Sequence, residues 1–454
     1  MQSTPFYYRK RNQYLAVIFA LALILLLIAE FSSFGVGAYY VFDKPISNVV
    51  AITSHNSTGT SLEITAVGLD NKSGRSIWID PQISYDANGS AFVNASSGFL
   101  IGSTVSNSSG IISGSFPISA TTLSRIESDG ENVHTVWVIG TTQVHSQFSP
   151  VFKGTTADSR QNYSAATMGS GITFFITLIT IPVPLNFSFG QLFLTLWTIY
   201  IILFAMAMNG PIRNMLGSIK EASTKGTQAL FDNSMFATLI IFPVVVWVTV
   251  ALSLLEQAGG VSTGSLPPAD PLLQFVELSI APLREELGFR VIPIGLAALL
   301  ILFSRGRFRD GLLSLWHPSR YLKKDDTPAQ YKRNLRTMFI MIGVSALLFG
   351  LAHVLLGAGW GPGKILSAAV AGIGLAGLYY LYGFPAAVLL HWSIDYFLST
   401  YDLIPSLQNV GGLISLYTLG ISVAGSIVLI VLLVRRLRNG PPGSIPANWS
   451  SGKI

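Results

Sequence analysis

Glu285 and Glu286 are adjacent carboxylates in the stretch Ala281-Pro282-Leu283-Arg284-Glu285-Glu286-Leu287-Gly288-Phe289-Arg290. Helical spacing brings Glu286 to Arg290 and turns Glu285 about 100° away, leaving it free of that partner. Two further apolar stretches carry imidazoles. One is Phe349-Gly350-Leu351-Ala352-His353, and the other is His391-Trp392-Ser393-Ile394-Asp395, whose His and Asp share a helical face. A carboxylate in apolar surroundings is suited to take a proton from water near neutral pH, and a neighbouring imidazole can share or deliver that proton. The same residue types are also adequate ligands for a metal ion, and spacing alone does not choose between the two.

Each group also has a plain packing interpretation. Glu286 with Arg290 reads first as a structural ion pair, because breaking a buried pair strands a charge, and Arg284 as a neighbour of that pair. Phe349 reads as packing, a lone His in a span as a satisfied helix contact, and Asp395 as a carboxylate that orients His391 through its other ring nitrogen. These readings weaken when taken together. An ionisable side chain at a helix centre in hydrocarbon costs roughly 2.5 to 3.5 kcal/mol on insertion scales, and three separate helices would each bear such groups for unrelated reasons. Convergence on one pocket is the simpler account. Of the six histidines only His353 and His391 fall in spans; His55, His134 and His145 lie in the N-terminal half and His317 in a basic loop.

The elements that must position these groups are membrane helices. The 454 residues are 50% hydrophobic and only 11% charged, and the mean hydropathy is +0.53, far from the quarter of charged residues usual in soluble domains. Lys and Arg cluster beside apolar runs, which reads the net charge of +6 as a topology signal and not as a nucleic-acid surface. The absence of cysteine excludes disulfides, thiol nucleophiles and thiolate metal sites.

Arg9-Lys10-Arg11 precedes an apolar run from Tyr14 to Ala29 that continues to Val36, long enough for a core about 30 Å thick. It reads as a retained anchor, with a cleaved signal peptide as the competing interpretation. Further spans are expected at roughly Gly190 to Met208, Met235 to Leu255, Leu272 to Phe303 (bent at Pro282 and Pro293), Thr337 to Leu356, Ile365 to Leu381, Pro385 to Leu398 and Leu413 to Leu433. Gly169 to Ile181, apolar but short and ended by Pro182 and Pro184, is expected to be interfacial or re-entrant. Eight spans put both termini in the cytoplasm, on the side of the basic loops, as the positive-inside rule requires of a plasma-membrane protein.

Residues 40–165 differ in character. Alternating β-branched runs such as Ser61 to Val67 and Thr135 to Ile139, with turn signals at Asp70-Asn71 and Asn88-Gly89, predict an outward-facing antiparallel β-sandwich. Glycosylation sequons at Asn56, Asn71, Asn88, Asn94, Asn107, Asn162 and Asn186 fit that exposure, whereas Asn448 falls on the cytoplasmic side. The expected fold is thus mostly α, a polytopic bundle of about eight spans with a β-rich outward domain. It divides into an N-terminus and anchor (1–39), the β-rich domain (40–165), an interfacial segment with two spans (166–270), a catalytic core (271–400), a last span (401–434) and a basic cytoplasmic tail (435–454).

Glu285-Glu286-x-x-x-Arg290, Phe349-x-x-x-His353 and His391-x-x-x-Asp395, in this order, resemble the signature of the CPBP family. These are the CAAX-processing and bacteriocin-processing intramembrane proteases, also called the ABI or type II CAAX prenyl endopeptidase family. The resemblance spans roughly Pro271 to Thr400 and implies a glutamyl endopeptidase. By that resemblance Glu285 is the general base, assisted by His353; His391 and Asp395 hold the oxyanion positions; Glu286 and Arg290 keep the site's geometry. The family's last position is commonly Asn in the prenyl-protein proteases, and an ionised Asp395 cannot donate to an oxyanion. Either Asp395 is protonated, or it orients His391 and leaves that ring as donor.

The expected partners are membrane lipids and a peptide or protein substrate at the membrane, with no nucleic acid and no required cofactor, and an extracellular partner is open to residues 40–165. Three rivals remain. A metal-dependent hydrolase has adequate ligands here but lacks a His-Glu-x-x-His helix. A catalytically idle receptor, scaffold or immunity protein would keep the fold alone, and a transporter would use mid-depth polar groups but should show an inverted repeat.

Overall fold

The structure is a computed structural model, and it describes residues 6–38, 50–56, 59–66, 74–79, 83–85, 91–93, 99–105, 112–121, 135–139, 143–148, 152–153, 172–183, 187–264, 271–323, 327–356, 360–399 and 411–439. The sequons at Asn71, Asn88, Asn94, Asn107, Asn162, Asn186 and Asn448, and His134, lie outside these residues.

Helix α1 (Phe6–Ala38) takes up the first apolar run together with its basic flank. Strands β1 (Val50–Asn56), β2 (Gly59–Ala66), β3 (Gly74–Ile79), β4 (Ile83–Tyr85), β5 (Ala91–Val93), β6 (Phe99–Val105), β7 (Ile112–Pro117), β8 (Thr135–Ile139), β9 (Gln143–Phe148) and β10 (Phe152–Lys153) follow. They form a four-stranded sheet, β10-β1-β2-β7, and a six-stranded sheet, β4-β5-β9-β8-β3-β6, antiparallel except where β1 runs parallel to β10. The sheets touch where Gly102 of β6 underlies the Phe116 ring of β7, a place with no room for a Cβ. No closed sandwich is formed by the described residues.

The segment expected to be re-entrant is instead a β-hairpin. Strand β11 (Ile172–Ile176) pairs with β12 (Ile179–Val183) through the two-residue turn Thr177-Leu178, with Thr177 at φ 53°. Proline is tolerated because Pro182 sits opposite Thr173, a position whose missing N–H would face away from the partner strand.

The helical part continues with α2 (Phe189–Asn209), α3 (Met215–Lys225), α4 (Ser234–Ala258), α5 (Pro271–Glu286), a π-helical segment Leu287–Gly295, α6 (Leu296–Phe303), α7 (Phe308–Ser314), α8 (Pro318–Leu322), α9 (Pro328–Leu355), α10 (Lys364–Tyr382), α11 (Phe384–Ser399) and α12 (Gly411–Asn439). Capping boxes start α2 at Ser188 and α9 at Thr327, each satisfying two otherwise orphaned donors. Asn233 caps α4 while its amide also reaches the carbonyls of Met208 (2.8 Å) and Arg213 (3.0 Å), which ties the end of α2 to the start of α4.

Five helices are long and apolar enough to cross a membrane: Gly190–Asn209, Ser234–Ala258, Phe275–Phe303, Pro328–Leu355 and Lys364–Tyr382. The expected eight therefore reduce to five on length and composition among the described residues. The described apolar windows of α1 and α12 are shorter, Ala16–Phe31 and Leu416–Val431, and α11 has 16 residues. At 1.5 Å per residue α11 spans about 24 Å, below the thickness of a hydrocarbon core.

Helix α11 is nonetheless the core of the bundle. Every residue from Phe384 to Ser393 is buried, and the helix packs against α1, α2, α4, α5 and α10. Its N-terminal turn is covered by protein: Gly383, at φ 89°, lies under the Trp316 carbonyl, which accepts from Phe384 N at 2.9 Å. His317 Nε2 donates to the Leu381 carbonyl at 2.8 Å, and Tyr379 OH donates to Leu315 O at 2.6 Å. The α7–α8 segment thus satisfies backbone groups where α10 turns into α11. This protein cover is what a turn at membrane depth requires.

Candidate active site

The site forms where α5, its π-helical continuation, α9 and α11 meet. The chain is α-helical up to Glu286 and π-helical from Leu287, so the motif straddles a change of helical pitch. Such π segments are frequent at functional sites. Pro293, where a bend was expected, lies within the π-helical segment.

Glu286 and Arg290 form an ion pair at 3.1 Å, both side chains wholly excluded from solvent. Arg290 Nη1 donates to Ser345 Oγ at 3.1 Å, and the guanidinium lies 4.5 Å from the centre of the Phe349 ring. Ser345 in turn donates to the Phe289 carbonyl. Ser345 was not singled out by motif spacing; it lies four residues before Phe349 on one face of α9, and that spacing is the signal that could have found it.

His391 joins the helices. Its Nδ1 donates to Glu286 Oε1 at 2.9 Å. Its Nε2 faces Glu285 Oε2 at 3.8 Å and Asp395 Oδ2 at 3.5 Å. The ring is therefore held through Nδ1 by Glu286, not by Asp395 as the i, i+4 spacing suggested, and Asp395 shares the Nε2 side with Glu285. Exposure separates the carboxylates: the Glu285 and Asp395 side chains are 16% and 21% exposed, against 0% for Glu286. The Glu286–Arg290 pair is thus enclosed, whereas Glu285 and Asp395 are partly open to solvent.

His353 Nδ1 donates to the Phe349 carbonyl one turn back at 2.8 Å. This fixes Nε2 as the acceptor of the neutral ring. Phe349 lies edge-on between the two imidazoles, 4.7 Å from His353 and 5.6 Å from His391, so the aromatic ring spaces them as well as packing. Glu285 lies close enough to His353 to interact with it electrostatically. Lys364, unremarked in the sequence, is a cation within electrostatic range of Glu285 and Asp395, its Nζ seated 4.0 Å from the Trp360 ring.

The hairpin also reaches the site. Phe175 packs on Phe289 (6.0 Å) and under the guanidinium of Arg284 (5.2 Å), which itself pairs with Glu277 at 2.7 Å. Arg284 is thus held away from the Glu286–Arg290 pair whose neighbour it was expected to be. On the far side of α11, Ser393 donates to buried Glu30 of α1 at 2.8 Å. Glu30 stands one residue beyond the apolar run ended at Ala29, and a lone acid there was the overlooked signal.

Among the described residues no group of three or more His, Asp and Glu side chains is arranged to hold a metal ion.

Residues 267–397 match the family model described as Type II CAAX prenyl endopeptidase Rce1-like. This Rce1-like segment runs from the start of α5 almost to the end of α11 and contains Glu285, Glu286, Arg290, Ser345, His353, His391 and Asp395. The two sheets, α1, α2, α4 and the β11–β12 hairpin lie outside it. No curated protein and no solved structure matches the chain.

Proposed function

We propose that the protein is an intramembrane endopeptidase of the CPBP type that hydrolyses peptide bonds of membrane-associated substrates with water activated by Glu285. The observation that carries this reading is one imidazole, His391, facing both carboxylates of the Glu285-Glu286 pair from a helix 105 residues away. A structural ion pair alone would need Glu286 and Arg290 but no second carboxylate on the open side.

In this mechanism Glu285 takes a proton from water while the resulting hydroxide attacks the scissile carbonyl carbon. His353, with Nε2 as its accepting face, shares that proton. The carbonyl oxygen becomes an oxyanion stabilised by Nε2–H of His391, in the form of the ring that also donates from Nδ1 to Glu286, with Asp395 beside it. When the tetrahedral intermediate collapses the C–N bond breaks, and the leaving amine takes the proton held by Glu285 and His353. Arg290 neutralises Glu286, so the ring is held by a carboxylate that is itself fixed.

The topology follows the same reading. With α1, α11 and α12 added to the five long helices, the chain crosses the plasma membrane eight times, with both termini on the cytoplasmic, basic side. Helix α11 is the short crossing, its deficit filled by the α7–α8 cover. The β-rich residues 40–165 then face outward and are open to glycosylation.

Comparison of membrane proteomes from cells carrying the native chain, Glu285→Gln, His353→Ala or His391→Ala tests the proposal. The expected result is one set of uncleaved precursors common to all three variants. Unchanged peptide termini with normally accumulating variants would refute it, and activity of the purified native protein that is lost to chelator and restored by metal would replace it with metal-dependent hydrolysis.

A further inference from the structure

Residues 304–336 hold nine Lys and Arg against three Asp, so this stretch alone accounts for the chain's net charge of +6. Within it α7 does something unusual for a charged loop. Phe308 and Leu312, four residues apart and so on one face, are 61% and 60% exposed, and Trp316 beyond the helix end is 41% exposed. Large apolar side chains in a row are not left in water without a partner. Arg309 and Arg320, also exposed, flank them.

Connectivity limits what that partner can be. The Phe275–Phe303 span ends five residues before Phe308, and the next begins at Pro328, so α7 cannot travel far from the membrane plane. It is also fixed in direction: Gly311 packs directly beneath the Phe303 ring, and Phe303 and Phe308 stack edge-on at 5.1 Å. The other side of the segment is committed to the turn before α11 through Leu315, Trp316 and His317. Beside the exposed row lies a concavity of about 520 Å³, lined by Arg307, Arg309 and Tyr321 together with Phe308 and Leu313. Arg307 is occupied by Asp310 and the Tyr321 carbonyl, and Arg309 is the exposed cation of the set.

We infer that α7 is an interfacial element that seats in the headgroup layer of an anionic leaflet. Phe308, Leu312 and Trp316 enter the acyl boundary, and Arg309 and Arg320 contact lipid phosphate. Apolar residues on one face with basic residues beside them are the pattern that binds such surfaces, and Trp at this depth is the usual anchor. The seated element is the one that covers the start of α11, seven residues before His391, so lipid composition bears on the element carrying the imidazole. The inference does not depend on peptidase activity.

Because the chain contains no cysteine, Leu312→Cys offers a single labelling position in the full-length protein. An environment-sensitive fluorophore there is read in nanodiscs of phosphatidylcholine alone and of phosphatidylcholine with phosphatidylglycerol. The expected result is blue-shifted emission, quenched by nitroxide-bearing lipid, with a larger shift in the anionic discs. The combined variant Arg309→Gln and Arg320→Gln should remove the difference between the two bilayers. Water-like emission in both bilayers overturns the inference, as does a shift independent of lipid charge. A shift that grows with the number of protein copies per disc would do the same, assigning the face to a second copy of the chain.

Discussion

Nδ1 of His391 donates to Oε1 of Glu286 across 2.9 Å, and this contact fixes which nitrogen is turned to the other carboxylates. Nε2 is turned to Glu285 and Asp395, and it donates toward that side only when the ring carries both protons. The adjacent glutamates therefore have separate surroundings, one closed and paired, the other partly open.

Replacement of the two glutamates should separate accordingly. Glu285→Gln is expected to abolish cleavage while changing thermal stability in detergent little, because the carboxylate is partly open to solvent and its contact with the His391 ring is long, at 3.8 Å. Glu286→Gln removes the ion-pair partner of buried Arg290 and should cost about 3 to 5 kcal/mol, seen as lower accumulation and an earlier unfolding transition. Equal stability losses in the two variants would contradict this division.

Asp395 stands where the prenyl-protein proteases that the motifs resemble commonly have Asn, and its Oδ2 is 3.5 Å from His391 Nε2. An amide there would donate to an oxyanion where an ionised carboxylate cannot. Asp395→Asn is expected to keep kcat within about tenfold of native, and Asp395→Ala, which leaves no polar group beside His391 Nε2, to lower it further; if Asp395 is the protonated donor, the loss reaches the roughly 10²- to 10³-fold of an oxyanion contact. Single-turnover cleavage of a precursor peptide measures both.

The hairpin should matter although it lies outside the Rce1-like segment. A Cβ on Gly288 would stand 2.5 Å from the Phe175 carbonyl oxygen, a backbone atom that cannot simply swing aside. Gly288→Ala is expected to cost about 1 to 3 kcal/mol by overpacking. Phe175→Ala, which empties a partly buried site between Phe289 and Arg284, should cost about 2 kcal/mol, below the usual core value. Thermal unfolding of the purified variants reads both, and Phe175→Leu should recover most of the second loss.

The motif residues were legible because ionisable groups in apolar runs stand out against a uniform background, and the helical spacing of Glu286 and Arg290 places them as the structure does. The hairpin was not. Ile172 to Val183 is a nearly continuous apolar run whose turn, Thr177-Leu178, has neither Gly nor Asn, and periodicity cannot separate such a run from a short helix. The start of α9 was missed for the opposite reason. Hydropathy begins only at Thr337, yet the Thr327 capping box and Pro328 carry the helix through Lys332, Arg333 and Arg336. Of the eight expected spans, five have the length and composition of a crossing helix among the described residues, since hydropathy reports apolar runs without saying which of them, like α11, are short and covered by protein. Which nitrogen of His391 meets which carboxylate depends on how α5 and α11 pack against each other, and no sequence pattern fixes that packing.

His317 gives the last test, away from the catalytic groups. Burial pushes its imidazole down from the usual 6.5 to about 4; the hydrogen bond to the Leu381 carbonyl opposes that shift, and nearby Arg320 and Lys323 add to it. The folded protein therefore holds the ring neutral, while the unfolded chain takes up a proton near 6.5. Stability from the neutral ring is fully present above the unfolded value and is lost as pH falls from 6.5 toward 4, where the folded state also protonates. The whole shift corresponds to about 3 kcal/mol. His317→Gln keeps an N–H for the Leu381 carbonyl but cannot titrate. The unfolding temperature of the native protein in detergent is expected to fall more steeply than that of His317→Gln between neutral pH and about pH 5, and parallel pH profiles would show that the ring contributes nothing to it.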